Sequence, residues 1–357
     1  MSNPISPEGV LNALSRVIEP DLRKDLVSLR MIEDVRITDA GISFTVVLTT
    51  PACPLKDQIE ADCRKEIKAD FGEIAVNIQM TARVLGQGNS RDLLPNVKNV
   101  VLVASGKGGV GKSTVSANLA IALAQTGAKV GLMDADIHGP SLPIMFGLQG
   151  QRPAMEGDKI IPISRHGIST MSIGLLVDAN QAIVWRGPMV SNALRQFFTD
   201  VLWGELDYLL IDLPPGTGDI HLTLAQLLKV AGALIVTTPQ QVALADARKA
   251  AAMFAMPQIE IPVLGVVENM SWFTPLAHPD EKYYVLGRGG GQLLADELKT
   301  PLLGQVPLVQ GIAEAADNGR PIVLDAGNPA ANAYRLLAGT LAQQLSIGNK
   351  HRATVEA

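Results

Sequence analysis

The stretch Ser105-Gly106-Lys107-Gly108-Gly109-Val110-Gly111-Lys112-Ser113-Thr114 decides how this chain is read. Gly106, four intervening residues, then Gly111-Lys112-Ser113 reproduce the spacing of a phosphate-binding loop. The neighbouring sequence suits it: the apolar run Asn99–Ala104 predicts a strand before the loop, and Ser113–Gln125 predicts a helix after it. Glycines let successive backbone N–H groups turn inward around phosphate oxygens, and the helix N-terminus adds the positive end of its dipole. The residues from Gly106 through Thr114 are thus expected to cradle ATP. Within them Lys112 would reach the β- and γ-phosphates, and the Ser113 hydroxyl would ligate Mg2+.

Working outward, short continuous apolar runs recur at Val100–Ala104, Val130–Met133, Tyr208–Ile211, Ala233–Val236 and Val263–Val267, with helix-length stretches between them. That alternation predicts an α/β fold, a mostly parallel, doubly wound sheet of the P-loop NTPase kind. Ligands of such sheets sit beyond the carboxyl ends of the strands. Two acidic motifs fall there: Asp134-Ala135-Asp136 after Lys129–Met133, and Asp212-Leu213-Pro214-Pro215-Gly216-Thr217-Gly218-Asp219 after Tyr208–Ile211. Glu268-Asn269-Met270 ends a further strand, Val263–Val267.

At 357 residues the chain exceeds what one core usually supports, so two domains are expected. Residues 1–85 read as a small α+β domain. It would comprise a helix over Pro7–Ile18, the breaker Glu19-Pro20-Asp21, a strand at Gly41–Thr50, a helix over Pro54–Phe71 and a strand at Ile74–Ala82. Residues 86–96 read as a polar, glycine-containing linker, 97–346 as the P-loop domain and 347–357 as a frayed polar tail. The net charge is −5 with basic residues scattered among acidic ones, which leaves no basic stripe for nucleic acid. No apolar run nears the ~20 residues of a membrane span, and Met1–Pro7 lacks the charged and apolar regions of a secretory leader. Two cysteines make no disulfide framework, and a reducing cytoplasm is the expected setting.

A second lysine at the head of the loop, Lys107, resembles the deviant P-loop of the MinD, ParA and nitrogenase-reductase ATPases. That resemblance implies a homodimer in which Lys107 crosses the interface and counters transition-state charge, as an arginine finger does; the alternative is a solvated loop lysine. It also implies that Asp136 positions the attacking water, that Asp212 holds Mg2+ through water, and that Asn269 bonds the adenine edge unless it is only a turn residue. Read with Asp134–Ser141, Trp185–Met189, Tyr208–Asp219 and Val267–Ser271, the loop makes essentially the whole chain similar to the Mrp/ApbC family of iron–sulfur carrier ATPases. The first domain, with Thr49–Leu55, resembles the iron–sulfur assembly domain often fused ahead of them.

The family hydrolyses MgATP and carries a [4Fe–4S] cluster to apo iron–sulfur proteins, held by a Cys-x-x-Cys in each subunit. Here those two positions fall on Pro275 and His278, and Trp272–Pro279 contains no thiol. Cys53 is the remaining candidate. As the expected N-cap of the Pro54–Phe71 helix, it reads equally as a reactive, iron-ligating thiolate or as a small residue tucked under the domain. Cys63 falls on the stripe Leu55, Ile59, Cys63, Ile67 and reads as core. His138, His166, His221 and His278 have no metal-ligand spacing.

Overall fold

The structure is a computed structural model that describes residues 5–38, 41–84, 86, 93–137, 139–177, 187–275, 277–278 and 280–355. The chain divides into two compact units, Gly86–Leu341 and Met1–Leu85 together with Ala342–Ala357.

The larger unit is built on an eight-stranded sheet. Its spatial order is Ile163–Arg165, Ile168–Ser172, Val130–Asp134, Leu206–Asp212, Val97–Ala104, Val230–Thr237, Val263–Thr274 and Leu302–Val309. Every neighbouring pair is parallel except the first, an antiparallel hairpin at one edge. The central strands are apolar on both faces because helices cover both. All eight residues of Val230–Thr237 and all but Lys98 of Val97–Ala104 are buried. Leu102, Leu209, Ile211, Ala233, Ile235 and Phe254 share one core cluster. Each large side chain among them stabilises the fold by about 1.5–3 kcal/mol through burial. The strand before the glycine loop lies between Leu206–Asp212 and Val230–Thr237, so the chain leaves it at the point where strand order reverses. That reversal opens a crevice beyond the strand ends.

One strand outruns its sequence signal. The run Val263–Val267 continues to Thr274, making twelve residues. Beyond Asn269 its pairing with Leu302–Val309 slips in register, and Met270 adopts φ +53. The strand then resumes with Trp272 and Phe273, and Phe273 makes an antiparallel bridge with Tyr283. Aromatic side chains favour such extended pairing, which a periodicity search stops short of at the polar Glu268-Asn269.

The smaller unit has a helix, Pro7–Leu14, whose Ser6 hydroxyl accepts the Gly9 N–H at 3.0 Å, and a helix, Lys56–Phe71. A three-stranded sheet of Ile32–Thr38, Gly41–Leu48 and Val76–Ala82 completes its frame. Ile59, Cys63 and Ile67 line the buried side of the second helix, as the four-residue spacing predicts. The first helix stops at Leu14 rather than Ile18, because Ile18 and Glu19 pair with Lys24 and Asp25 in a short ribbon. The strand Ile32–Thr38 goes unmarked in the sequence because Glu33, Asp34 and Arg36 interrupt its apolar residues. The segment 347–357, expected to fray, is helical through Val355 as the end of the helix Pro329–Val355, with Ser346 and Asn349 buried in the smaller unit. Among the described residues no helix is long and apolar enough to cross a membrane.

The helix after Cys53 also begins later than expected. Its N-cap is Leu55 and its first residue Lys56, so Cys53 is not a cap and gains no help from the dipole. Cys53 is half-buried, and its backbone N–H turns back to the Thr50 carbonyl at 3.3 Å. Burial raises its thiol pKa, against the lowering effect of a hydrogen bond from the Leu55 backbone, and Asp21 and Glu19 add smaller upward contributions. The Cys63 thiol is pushed up to about 12 by burial. In the native chain at pH 7.5, iodoacetamide therefore modifies Cys53 more slowly than a free thiol and leaves Cys63 untouched, while both react after unfolding. Peptide mass mapping checks this; a Cys53 faster than free cysteine would contradict the burial argument.

Candidate nucleotide site

Two features shape the loop after Val97–Ala104. A Cβ on Gly106 would overlap the backbone of Asp246, so the loop starts in direct contact with the helix Gln241–Phe254. Gly111 caps the helix Lys112–Gln125 at φ +79, a conformation that side-chain-bearing residues avoid. Between them the loop folds around a cleft of about 260 Å³, lined by Ser105, residues 107–114, Asp136, Gly139, Ser141, Met145 and Pro215. The Ser105 hydroxyl donates to the Lys107 carbonyl at 3.0 Å, and the Gly216 N–H donates to the Ser105 carbonyl at 2.9 Å. The second acidic motif is thus fastened to the start of the loop.

Lys112 and Asp212 meet beneath this cleft. The ammonium Nζ lies 2.7 Å from Asp212 Oδ1 and 3.3 Å from the Ser113 hydroxyl, and the two side chains are 6% and 4% exposed. The Ser116 hydroxyl donates to the same Asp212 oxygen at 2.7 Å. Ser116 stands four residues after Lys112, one helical turn on, which aims both side chains at the same strand end. A charge pair this far from water survives only when its remaining polar atoms are also bonded, and Ser116 supplies that bond.

Asp134 and Asp212 sit opposite each other on paired parallel strands. The Asp134 carboxylate accepts the Asp136 N–H at 3.1 Å, the Leu142 N–H at 3.2 Å and the Ser172 hydroxyl at 3.1 Å. Burial first, and the Asp212 carboxylate second, push its pKa up to about 7, against the lowering effect of those N–H donors and of Lys112. Its fixed oxygens hold Asp136 by the backbone. Asp136 is half-buried on the cleft wall, and its side chain accepts the Gly139 N–H at 3.2 Å.

The sequence-expected residues are therefore brought together at one strand-end crevice, with one exception. Asn269 is only 5% exposed, and its amide nitrogen donates to the Val110 carbonyl at 2.8 Å. It lies under the loop, behind the phosphate cleft rather than on its wall. The sequence reading missed Asp134, Ser116 and Ser172 as supports. Asp134 was visible as the first carboxylate of its motif and Ser116 by its one-turn spacing, whereas Ser172 comes from a separate strand with no local signal. Trp185 and Arg186 lie outside the described residues.

The thiol-free segment is described at Pro275 and His278. His278 is exposed on the surface, 3.7 Å from the Glu281 carboxylate. The Lys282 ammonium stands 4.1 Å above the Trp272 ring, and Arg288 4.7 Å above Tyr284. Among the described residues no group of three or more His, Cys, Asp or Glu is arranged to hold a metal ion.

Replacing Lys112 by Met removes the one cation bonded to Asp212 among the described residues and leaves two buried carboxylates facing each other. The nucleotide-free variant should lose about 3 kcal/mol of stability at pH 8. A carboxyl with a raised native pKa binds a proton more tightly folded than unfolded. Its stabilising proton is present below that pKa and lost as pH rises through it. The deficit therefore shrinks toward pH 5, and urea unfolding at both pH values measures it. A deficit independent of pH would refute the carboxylate pairing.

Similarity to known proteins agrees with this geometry. Residues 96–342 match the ParA family model described as NUBPL iron-transfer P-loop NTPase, and residues 7–79 match that of an iron–sulfur cluster assembly protein. The iron–sulfur cluster carrier protein of Synechocystis sp. is 48% identical over 350 residues, spanning 96% of this chain and 99% of its own. That of Deinococcus radiodurans is 50% identical over 345 residues, 95% of this chain and 96% of its own. A nucleotide-binding protein from Archaeoglobus fulgidus, solved in complex with ADP, superposes with a TM-score of 0.58 at 39% identity, covering 68% of this chain and 96% of its own. With its glycine loop, strand-end carboxylates and assembly-type first unit, the chain belongs to the iron–sulfur cluster carrier family of ParA-type P-loop NTPases.

Proposed function

We propose that this chain is an ATP-hydrolysing dimer that assembles or carries iron–sulfur clusters for apo iron–sulfur proteins. The observation that carries the reading is the buried Lys112–Asp212 pair at the foot of a complete phosphate loop. Triphosphate oxygens entering the cleft compete with Asp212 for the Lys112 ammonium. Release of Asp212 frees a carboxylate beside the Ser113 hydroxyl, and these two are the groups that would hold Mg2+. The ion would supply charge neutralisation on the β- and γ-phosphate oxygens. Asp136, held by its backbone to Asp134, orients the water that attacks the γ-phosphorus, while Lys107 stabilises the departing charge from across a dimer interface. Because Gly216 is bonded to Ser105, loss of the γ-phosphate shifts the Asp212–Asp219 loop, which is how hydrolysis would reach a cargo surface.

The residues present do not fit a resident cluster at the family's place in the ATPase unit. Pro275 and His278 offer no thiolate, Cys63 is sealed in the core of the smaller unit, and Cys53 is a single half-buried thiol. The cluster is therefore cargo rather than a resident cofactor of the ATPase unit. The same observation favours a second reading, a cluster-free ATPase that regulates assembly. Anaerobic reconstitution with ferrous iron and sulfide separates the two. The carrier reading expects charge-transfer absorbance near 400 nm and loss of apoenzyme activation in Cys53→Ala; a colourless protein with full ATPase activity supports the second.

A complementation experiment tests the dimer. Lys107→Ala alone and Asp136→Asn alone should each lose on the order of 10³-fold in ATPase rate. Mixed, they form heterodimers in which one site has an intact Asp136 and a lysine lent by the other subunit, so part of the activity returns. A mixture as inactive as its components would mean that Lys107 does not act in the neighbouring site.

A further inference from the structure

We propose that His221 is a positioning residue: its imidazole latches Gly218 and so fixes the trailing end of the Asp212–Asp219 loop beside the phosphate cleft. The role rests on the ATPase reading of that cleft. The leading half of the loop is fastened by backbone bonds. The Leu213 N–H donates to the Val103 carbonyl at 3.0 Å, and the Gly216 N–H to the Ser105 carbonyl at 2.9 Å. Pro215, between them, lines the cleft. At the trailing end Thr217 and Gly218 are exposed, so burial does not hold them in place. There the Gly218 N–H meets His221 Nδ1 at 3.2 Å.

The latch follows from the local fold. Gly218 is the N-cap of the helix Asp219–Leu227, and His221 stands at its third position. A side chain at that position can reach back to the N-cap N–H, a task that Glu or Gln usually performs. Gly218 is extended, at φ −146 and ψ −179, which turns its N–H and its carbonyl to the same side. The carbonyl already accepts the His221 backbone N–H at 3.1 Å. Nδ1 lies 3.2 Å from both groups, and the one still in need of a partner is the N–H. Nδ1 therefore accepts, and the ring proton sits on Nε2.

The ring itself is sealed in. His221 is 1% exposed and packs edge-on against Phe254, with ring centroids 6.1 Å apart. Among the described residues Nε2 is buried without a hydrogen-bond partner. A position chosen for packing alone would favour an apolar side chain over one that buries such an atom, so the other nitrogen is what the site uses. Burial holds the imidazole pKa below its ordinary value, against the raising effect of the Gly218 bond, and the Lys112 charge lowers it further. That charge comes from the helix Lys112–Gln125, where Lys112 is paired with Asp212, while the helix Gln241–Phe254 presents the uncharged Phe254 ring. A released ring regains the ordinary value of 6.5, so the latched state is favoured above that pH and loses ground below it. Protonation takes the lone pair from Nδ1, and with it the bond to the Gly218 N–H.

ATPase rates of wild type, His221→Gln and His221→Ala from pH 8 down to pH 5 test the role. Gln keeps an acceptor at the same helical position and has no proton to gain, so its rate at pH 8 should stay near wild type. Ala should be about fivefold slower there, the effect of one lost hydrogen bond. Below pH 6.5 wild type should fall relative to Gln and approach Ala. Asp134 titrates in all three chains and cancels in these ratios. Histidine 15N spectra of the nucleotide-free chain, with His221→Gln identifying the signal, should show Nδ1 unprotonated and Nε2 protonated. A Gln variant as slow as Ala would overturn the inference. So would wild-type and Gln profiles that superimpose, or a proton found on Nδ1. If the alanine variant fails to fold, the Gln profile and the spectra decide. A wild type that hydrolyses no ATP removes the ATPase reading and this role together, whereas an active wild type with indifferent variants removes this role alone.

Discussion

Lys112 and Asp212 hold one another out of water, 2.7 Å apart, and much of the larger unit is arranged to make that tolerable. Burying two charges costs several kcal/mol per ion after relaxation, so the pair is a weak source of stability and a strong constraint on geometry. Asp212 must end its strand level with Asp134 and next to Val103, which fixes the register of three parallel strands. Ser116 must face inward one turn into the helix, which sets the helix's rotation. Glycine at 106 and 111 lets the chain turn between these elements without a side chain intruding. The site is in this sense a solution to one electrostatic problem.

That problem also explains why the arrangement suits an anionic ligand. The strand ends gather Asp134, Asp136 and Asp212 around one buried lysine and one half-buried one, Lys107. A triphosphate entering alone would meet more negative than positive charge, and low-dielectric surroundings would magnify the mismatch. In the proposed function a divalent cation entering with it would reverse the balance, giving the released Asp212 a new partner as Lys112 turns to phosphate. In the proposed cycle the ion pair would be a placeholder whose exchange couples ligand entry to movement of the Asp212–Asp219 loop.

The parts of this design that were legible in sequence are the parts set by local chemistry. The phosphate loop is a contiguous pattern, and Asp136 and Asp212 follow buried strands whose apolar runs announce their ends. The stripe of Ile59, Cys63 and Ile67 was equally plain. What escaped depended on the third dimension. Ser172 reaches Asp134 from another strand, and nothing near it in sequence marks it. Asn269 meets the Val110 carbonyl across 159 positions of chain, a contact that no local pattern announces. Cys53 was misplaced by two residues relative to its helix. That shift changes the sign of the effect on its thiol, since a cap would lower the pKa and burial raises it.

The remaining asymmetry lies between the two ends of the strand Val263–Thr274. At Glu268 and Asn269 it is buried, bonded and tied to the phosphate loop. A few residues later it emerges as the aromatic pairing of Phe273 with Tyr283, with cations stacked on Trp272 and Tyr284. Thiolates at Pro275 and His278 would have needed deprotonation and a partner's pair to complete four ligands. An imidazole exposed beside Glu281 and a proline supply neither. The strand therefore runs from the phosphate loop to an end marked by aromatic–cation contacts and, at Pro275 and His278, by the lack of a thiol. A cluster bound by this chain would therefore need iron ligands other than those two positions.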